Sequence, residues 1–527
     1  MAKFPAATPP PDTPSPSRPP EGAESAARTP VPTPFRRQFL AAPHPVAAPS
    51  GWTHVELGPL HVYAHPELGL ARAAGADGLE VVLLGFALDP DHPELDDAGI
   101  AARIAAGRTL EDAIAASLHL AGRWVLLVVA DGECHALNDA CGLRMVHYTV
   151  AADGPYLASN PALLGTVVPL RSAPFHDEYL GSEYRRRTLE HYIPSGVTLF
   201  EGVGHLVPNH VLRVSTGEQV RYWPTQPLGT DSMEAGVARA AALLRRLVNV
   251  GAARFPLALP LTGGWDSRIL LGAAQSQAAD LFAYTLVYRD LDDRSPDVHI
   301  PREMLAAAGL RHHPIECTEA PSADFVAAYR AHADLPHDDW ERIAWGMHRA
   351  YPRDRVCLKG NCAEIARNSY FSALRADPSA RAIADHEFGG LAFARKALER
   401  WIGPAREVCA HVGMDVLDLL YWEHLMGSWQ ARSQLEWDTV QEAFTPFNHR
   451  PLLQALLAVP ARDRDKPRVR LWHALLRALW PELAAWPVNP LPRRARLRRA
   501  ARAWLKRLGV LGPVRSAYRR ARGFLRR

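Results

Sequence analysis

The stretch LALPLTGGWDSRILLG, residues 257–272, changes character three times and so constrains the chain more than any other segment. Residues 257–261 are a short apolar run suited to a strand buried on both faces. Thr262, Gly263 and Gly264 make a turn with little side-chain bulk, and from Trp265 the pattern reads as a helix. A strand, a glycine turn and a helix start in succession present backbone N–H groups and a helix N-terminus to one point, which suits an anion. Gly263 and Gly264 permit close approach and positive φ. Thr262 and Ser267 add hydroxyls, and Asp266 places a carboxylate where a phosphate-bound Mg²⁺ would sit. The two common nucleotide signatures, GxxxxGK(S/T) and GxGxxG, are both absent.

Leu261-Thr262-Gly263-Gly264-Trp265-Asp266-Ser267 resembles the pyrophosphate loop, (S/T)GGxDS, of the ATP-pyrophosphatase (PP-loop) superfamily, and specifically of the asparagine synthase family. The resemblance implies ATP and Mg²⁺ as cofactors, with Leu261, Thr262, Gly263, Gly264, Asp266 and Ser267 around the nucleotide. It also implies adenine held by backbone near residues 259–261 and 285–287, Leu286 among them.

Composition leaves room for this. The chain has 527 residues, 48% hydrophobic and 22% charged, enough for two or three domains with full cores. Its six cysteines show no CxxC or zinc spacing, so reduced thiols in a cytoplasmic protein are expected. No apolar run is long enough to span a bilayer, and the proline-rich N-terminus lacks the apolar core of a signal peptide. Residues 1–50 are rich in Pro, Ala, Ser and Thr and are expected to be unstructured.

Residues 51–224 show short strands at 57–63, 79–84, 124–129, 135–137, 145–149 and 155–158 around one helix at 110–120, an antiparallel α+β pattern. Leu120 to Trp124, Asp139 to Arg144, and the closing segment His191 to Gly202 resemble the N-terminal glutaminase domain of the asparagine synthases. The resemblance implies an Ntn-hydrolase-like sandwich. That domain uses an N-terminal cysteine whose α-amino group is its base, whereas this chain begins Met1-Ala2-Lys3 and has Cys134 as its first cysteine. The domain is therefore expected to be degenerate, without glutaminase activity, and neither Cys134 nor Cys141 is expected to be a nucleophile.

Residues 225–490 alternate helices (235–250, 297–308, 323–333, 340–350) with strands (257–261, 281–288, 312–316, 355–359), which implies a parallel sheet with right-handed crossovers and a ligand at the strands' carboxyl ends. The fold class expected is α/β: a degenerate N-terminal sandwich followed by a parallel-sheet ATP-pyrophosphatase domain with helical additions. At the end of the last strand, Gly360-Asn361-Cys362-Ala363-Glu364 through Tyr370 resembles the family's second loop, GDGADELFGGY. Gly360 falls on the nucleotide-binding glycine. Glu364 stands where the family has the metal-side aspartate, so Asp266 and Glu364 are the implied Mg²⁺ ligands. Asn361 stands where the family has an acid or a tyrosine that handles the attacking amine, and an amide cannot take a proton. Asn361 and Arg268, one residue past Ser267, are the candidate catalytic residues. Asp293, Ser295 and Asp297 occupy the family's SDE segment, and His312 and His313 the entry to its third strand. Residues 421–450, ending Pro446-Phe447-Asn448-His449-Arg450, resemble the helical region that walls the acceptor pocket, where Arg432 or Glu423 would reach substrate or form surface salt bridges. The family's terminal lysine falls on Asn489, with Arg493 and Arg494 as the nearest replacement cations.

From Arg493 to Arg527 there are fourteen Lys and Arg and no acid, and two apolar stripes at helical spacing. Such a basic amphipathic tail, 491–527, suits an acidic partner or an anionic membrane surface; no specific nucleic acid is expected. The function implied is an ATP-dependent amide-forming ligase that adenylates a small-molecule or peptide carboxylate, releases pyrophosphate and captures the product with ammonia or an amine. The alternative is a weakened pseudoenzyme serving as a nucleotide- or partner-binding scaffold.

Overall fold

The computed structural model describes residues 31–76, 78–367, 371–465 and 469–490. Tyr370, Arg493, Arg494 and the basic tail lie outside these residues, as do residues 1–30 of the expected leader. The leader's remaining residues correct that expectation in part. Phe39–Ala42 is a strand with all four residues buried, because its apolar tetrad FLAA pairs with Leu60–Ala64 on one side and Gly154–Ala158 on the other.

The first half carries two six-stranded antiparallel sheets. One runs Gly204–His205, His147–Ala151, Gly154–Ala158, Phe39–Ala42, Leu60–Ala64, Thr53–Leu57; the other runs Glu218–Arg221, His210–Arg213, Glu133–Asn138, Ala121–Ala130, Glu80–Leu88, Leu70–Ala74. Val62 and Leu157 of the first sheet share one apolar core with Leu84, Val125 and Leu127 of the second, so the sheets pack face to face. The strand expected at 57–63 is instead the second arm of a hairpin, Thr53–Leu57 with Leu60–Ala64, turned at Gly58 with φ +51°. A second helix, Asp97–Ala105, joins the expected Leu110–Ser117; Asp96 caps it by accepting from the Gly99 N–H, and Ile100 and Ile104 bury its apolar side on the second sheet.

The second half is a five-stranded parallel sheet ordered His313–Glu316, Phe282–Val287, Leu257–Pro260, Val356–Leu358, Glu442–Phe444. The 22-residue helix Met233–Arg254, capped by the Ser232 hydroxyl, buries Ala240, Leu244, Leu247 and Val248 as one stripe. The fifth strand, Glu442–Phe444, falls in the region read as helical; only three residues long, it lacks the length for a periodic signal and is held by pairing with Val356–Leu358. No described helix is long and apolar enough to cross a membrane.

The two halves share a buried ionic seam. Arg123 holds both carboxylate oxygens of Asp438 at 2.5 and 2.8 Å, and Arg144 donates to Glu442 at 2.9 Å. Asn448 accepts from the Cys141 N–H at 2.7 Å and donates to the Gly122 carbonyl at 2.8 Å.

Candidate active site

A cavity of about 370 Å³ opens at the carboxyl ends of the central strands. Its floor is Pro260, Thr262, Asp266 and Ser267, its flanks Tyr284 and Leu286 on one side and Lys359, Gly360, Asn361 and Glu364 on the other. Strand ends supply these side chains because a parallel sheet buried on both faces leaves only its edges and ends open to ligand.

The glycine loop is held by its own polar groups. Thr262 Oγ1 accepts from the Gly264 N–H at 3.2 Å, Ser267 Oγ accepts from the Thr262 N–H at 3.3 Å, and Asp297 Oδ1 accepts from the Gly263 N–H at 2.9 Å. Asp297 therefore shapes the loop. Neither Gly263 nor Gly264 adopts the positive φ that glycine permits. Their value is room: a Cβ on Gly263 would stand 3.2 Å from Asp297 Oδ1, and one on Gly264 3.2 Å from Thr262 Oγ1. Gly264 then caps the helix Trp265–Ala273, which carries Asp266 and Ser267 in its first turn.

Asp266 and Glu364, 98 residues apart in sequence, come together here with Arg367 of the second loop. Arg367 donates to Asp266 Oδ2 at 2.7 Å, lies 3.6 Å from Glu364 Oε1 and stacks 4.8 Å over Trp472. Among the described residues each acid keeps one oxygen without a partner, Asp266 Oδ1 and Glu364 Oε2, both buried. Burial, then the neighbouring Asp266 carboxylate, push the Glu364 carboxyl up to about 7. Two orphaned, mutually repelling carboxylate oxygens beside an anion loop fit a hard divalent cation, which would neutralise both and take its remaining ligands from phosphate and water.

A pH dependence follows. A carboxyl raised by burial binds its proton more tightly folded than unfolded, so the ligand-free fold loses stability as pH rises through about 7. Mg²⁺ competes for the same carboxylate, so its affinity in the presence of ATP should fall as pH drops below about 7, with proton uptake on release. Calorimetry in two buffers of different ionisation enthalpy reads both; a pH-independent affinity between pH of about 6 and about 8 would contradict it.

Other expected site residues are placed elsewhere. Arg268 is fully buried and donates to the Trp486 and Pro487 carbonyls at 2.8 and 3.1 Å, away from the cavity; burial without an acid partner pushes it down to about 10. It secures the segment that brings the Asn489 N–H to the Gly263 carbonyl at 2.8 Å. Leu261 does not line the cavity: its N–H goes to the Tyr284 carbonyl and its carbonyl to the Thr285 hydroxyl. Asn361 faces the cavity, with Gln434 Nε2 at 3.5 Å from its Oδ1. Ser295 starts its helix but turns its hydroxyl to Asp292, and Asp293 pairs with Arg302 on the surface. His312 meets the Thr285 hydroxyl at 2.8 Å, and His313 stacks on Phe282.

Glu423 and Arg432 are buried, so neither forms the expected surface salt bridge. Glu423 pairs with Arg221 of the first half and accepts from Trp401 Nε1 at 2.7 Å. The far wall instead comes from Trp429, Gln430, Ser433, Gln434, Trp437 and Gln441, facing Trp340 and Met347. Trp429 and Gln430 close a ten-residue π-helical stretch, Tyr421–Gln430, a geometry that recurs at functional sites. Among the described residues, Trp429 Nε1 and Gln434 Oε1 are buried without partners, one donor and one acceptor on side chains that line the cavity. The six far-wall residues fall in the 421–450 region expected to wall the pocket; which of its side chains do so was not legible, and sequence reading missed Lys359, Arg367 and Trp340. Lys359 carried a signal, as one of five lysines in a chain with sixty basic residues; the tryptophans carried none, since aromatic residues at helical spacing equally describe core.

A family model described as asparagine synthase matches residues 240–510, just over half of the chain, and the chain belongs to that family. No curated protein matches it.

Proposed function

We propose that this member of the asparagine synthase family is an ATP-dependent amide-forming ligase that works without a glutaminase of its own. The observation that carries the reading is the meeting of Asp266 and Glu364 across one cavity, each with an unpartnered buried oxygen, beside the glycine loop. Thr262, Ser267 and the helix start at Gly264 would receive the phosphates, and Leu286 would lie against the base. Asp266 and Glu364 would hold Mg²⁺, which supplies charge neutralisation as pyrophosphate leaves. Arg367, between the same two acids, adds a fixed cation on that side of the cavity. The carboxylate to be activated would lie toward Trp340, Trp429 and Trp437, where Trp429 Nε1 offers a donor; Asn361 Oδ1 and Gln434 Oε1 orient the incoming amine as acceptors. Catalysis on this reading is chiefly positioning and charge stabilisation.

The first half would be an Ntn-hydrolase-like sandwich that has lost its reaction. Cys134 is 4% exposed and burial pushes its thiol up to about 12, so it offers no thiolate. Nitrogen would then come as free ammonia or as an amine on the substrate, as in lactam-closing relatives of this family. The lack of a proton-accepting group at Asn361 favours the scaffold as a second reading.

Calorimetry with Mg·ATP separates the readings from no binding at all. We expect binding that needs the metal and that Asp266→Ala and Glu364→Ala each weaken at least about tenfold. A screen of carboxylates with an amine should then give pyrophosphate and AMP in equal amounts. Binding without any carboxylate-dependent pyrophosphate would leave the scaffold; no binding would end the nucleotide reading.

A further inference from the structure

Arginine supplies nearly all the positive charge of this chain, and only Lys3, Lys359, Lys396, Lys466 and Lys506 are lysines. Lys359 stands in the cavity, directly after the strand Val356–Leu358 and before Gly360. The choice of residue matters there. A guanidinium stays protonated in any protein environment, whereas an ammonium in dry surroundings gives up its proton.

The surroundings of Lys359 make its ammonium easier to deprotonate than that of an ordinary lysine. Its Nζ lies 5.3 Å from the centroid of the Trp437 ring. The two acids that face it, Asp438 and Glu442, are held by Arg123 and Arg144. The remaining groups around it are the Arg123 cation from the first half and the buried Cys357 thiol on its own strand. No carboxylate pairs with it among the described residues. Burial pushes the ammonium down to about 8, and Arg123 adds to that shift.

Most of the other ionisable groups of the cavity do not fit a base. Asp266 and Glu364 are bound by Arg367 and are the metal side. Tyr284 is fully buried with its hydroxyl 3.3 Å from Cys357 Sγ, and burial pushes it well above 10. Asn361 accepts no proton. Glu190, half-buried at the rim, is the one competing carboxylate.

We propose that Lys359, as the free amine, is the base of the amide-forming step. The proposal rests on the adenylating reading of the same cavity. The attacking amine nitrogen bonds to the acyl carbon, the carbon–oxygen bond to phosphate breaks, and AMP leaves with that electron pair. The proton shed by the amine passes to Lys359 Nζ, which becomes ammonium and later releases it to water. The lysine thus supplies what Asn361 lacks.

Two measurements test this. Protein labelled with lysine carrying ¹³C at Cε gives five signals, and Lys359→Arg removes and so assigns one of them. Its pH titration is expected near 8, against about 10.4 for an ordinary lysine; an ordinary value overturns the proposal whatever the ligase assays show. With a carboxylate that supports pyrophosphate release, Lys359→Arg and Lys359→Met should each lose about 100-fold or more in amide formation with an alkylamine. Mg·ATP binding and carboxylate-dependent pyrophosphate release should stay within a few-fold, which shows that the variants fold. Hydroxylamine, already deprotonated at neutral pH, should still trap the adenylate as a hydroxamate in both variants. Full amide formation by Lys359→Arg would show that a cation is needed rather than a base, and loss in Glu190→Gln alone would move the base to the rim; either overturns the proposal. A wild-type chain that releases no pyrophosphate with any carboxylate removes the ligase reading and the base with it, while the lysine titration reports on the amine separately.

Discussion

Asp438→Ala is expected to lower the stability of the folded chain by about 3–5 kcal/mol. Asp438 is fully buried, and the Arg123 and Arg144 side chains around it are 2% exposed. Arg123 forks onto both its oxygens, Arg144 lies 3.4 Å away, and Arg37 donates to its carbonyl at 2.7 Å. Burial pushes the Asp438 carboxyl up even against these arginines, so the ion pair itself gives little net stabilisation relative to apolar packing. Removing the acid is another matter, because it leaves two buried guanidiniums with Glu442 as their one remaining ion-pair partner among the described residues. Denaturant unfolding at neutral pH measures the loss. The double variant Arg123→Leu with Asp438→Leu should recover part of it, since the stranded cation goes too. A single variant as stable as the wild type would mean that water enters the seam. Because Arg123 and Arg144 belong to the first half and Asp438 and Glu442 to the second, the same variant should also loosen the joint between them.

Gly360→Ala should weaken Mg·ATP binding by about 100-fold, in line with what displacements of about 1 Å do to positioned groups. A Cβ at this position would stand 2.6 Å from Asp266 Cβ and 3.0 Å from the Asp266 carbonyl carbon. Main-chain atoms cannot swing aside as a side-chain tip can, so the second loop or the helix start at Asp266 must shift. Either movement separates Asp266 from Glu364 and from Arg367, which share the second loop. Calorimetric titration with Mg·ATP reads the effect. Gly403→Ala, on the open surface of the helix Ala392–Val412 with nothing within 4 Å, should leave binding unchanged. Wild-type affinity in Gly360→Ala would show that the two acids do not act on the nucleotide together.

Much of this architecture was legible from residue patterns. The run 257–261, the turn Thr262 to Gly264 and the helix from Trp265 form as their apolarity and glycines indicate. The alternation of strands and helices after residue 225 became the parallel sheet, with Asp266 and Glu364 at its carboxyl ends. Arg268 was misplaced because one residue past Ser267 on a helix is about 100° of rotation, which turns its side chain from the cavity to the Trp486 carbonyl. Leu261 was misplaced because an apolar residue at a strand end gives no hint that both its backbone groups are spent.

By itself the sequence determined the elements whose cause is local: periodic apolar stripes, helix caps, and the glycine loop whose residue types suit phosphate at short range. It also determined which side chains could take a proton, and so the consequence of asparagine at 361. Only the tertiary structure decided which distant residues share the cavity. Arg123 against Asp438, Arg367 between Asp266 and Glu364, and Lys359 beside Trp437 depend on chain separations that no local pattern encodes. Burial decided their chemistry in the same way. Whether a lysine is an ammonium or an amine, and whether a glutamate holds its proton near neutrality, is set by how far surrounding protein removes it from water, and that is a property of the packed fold.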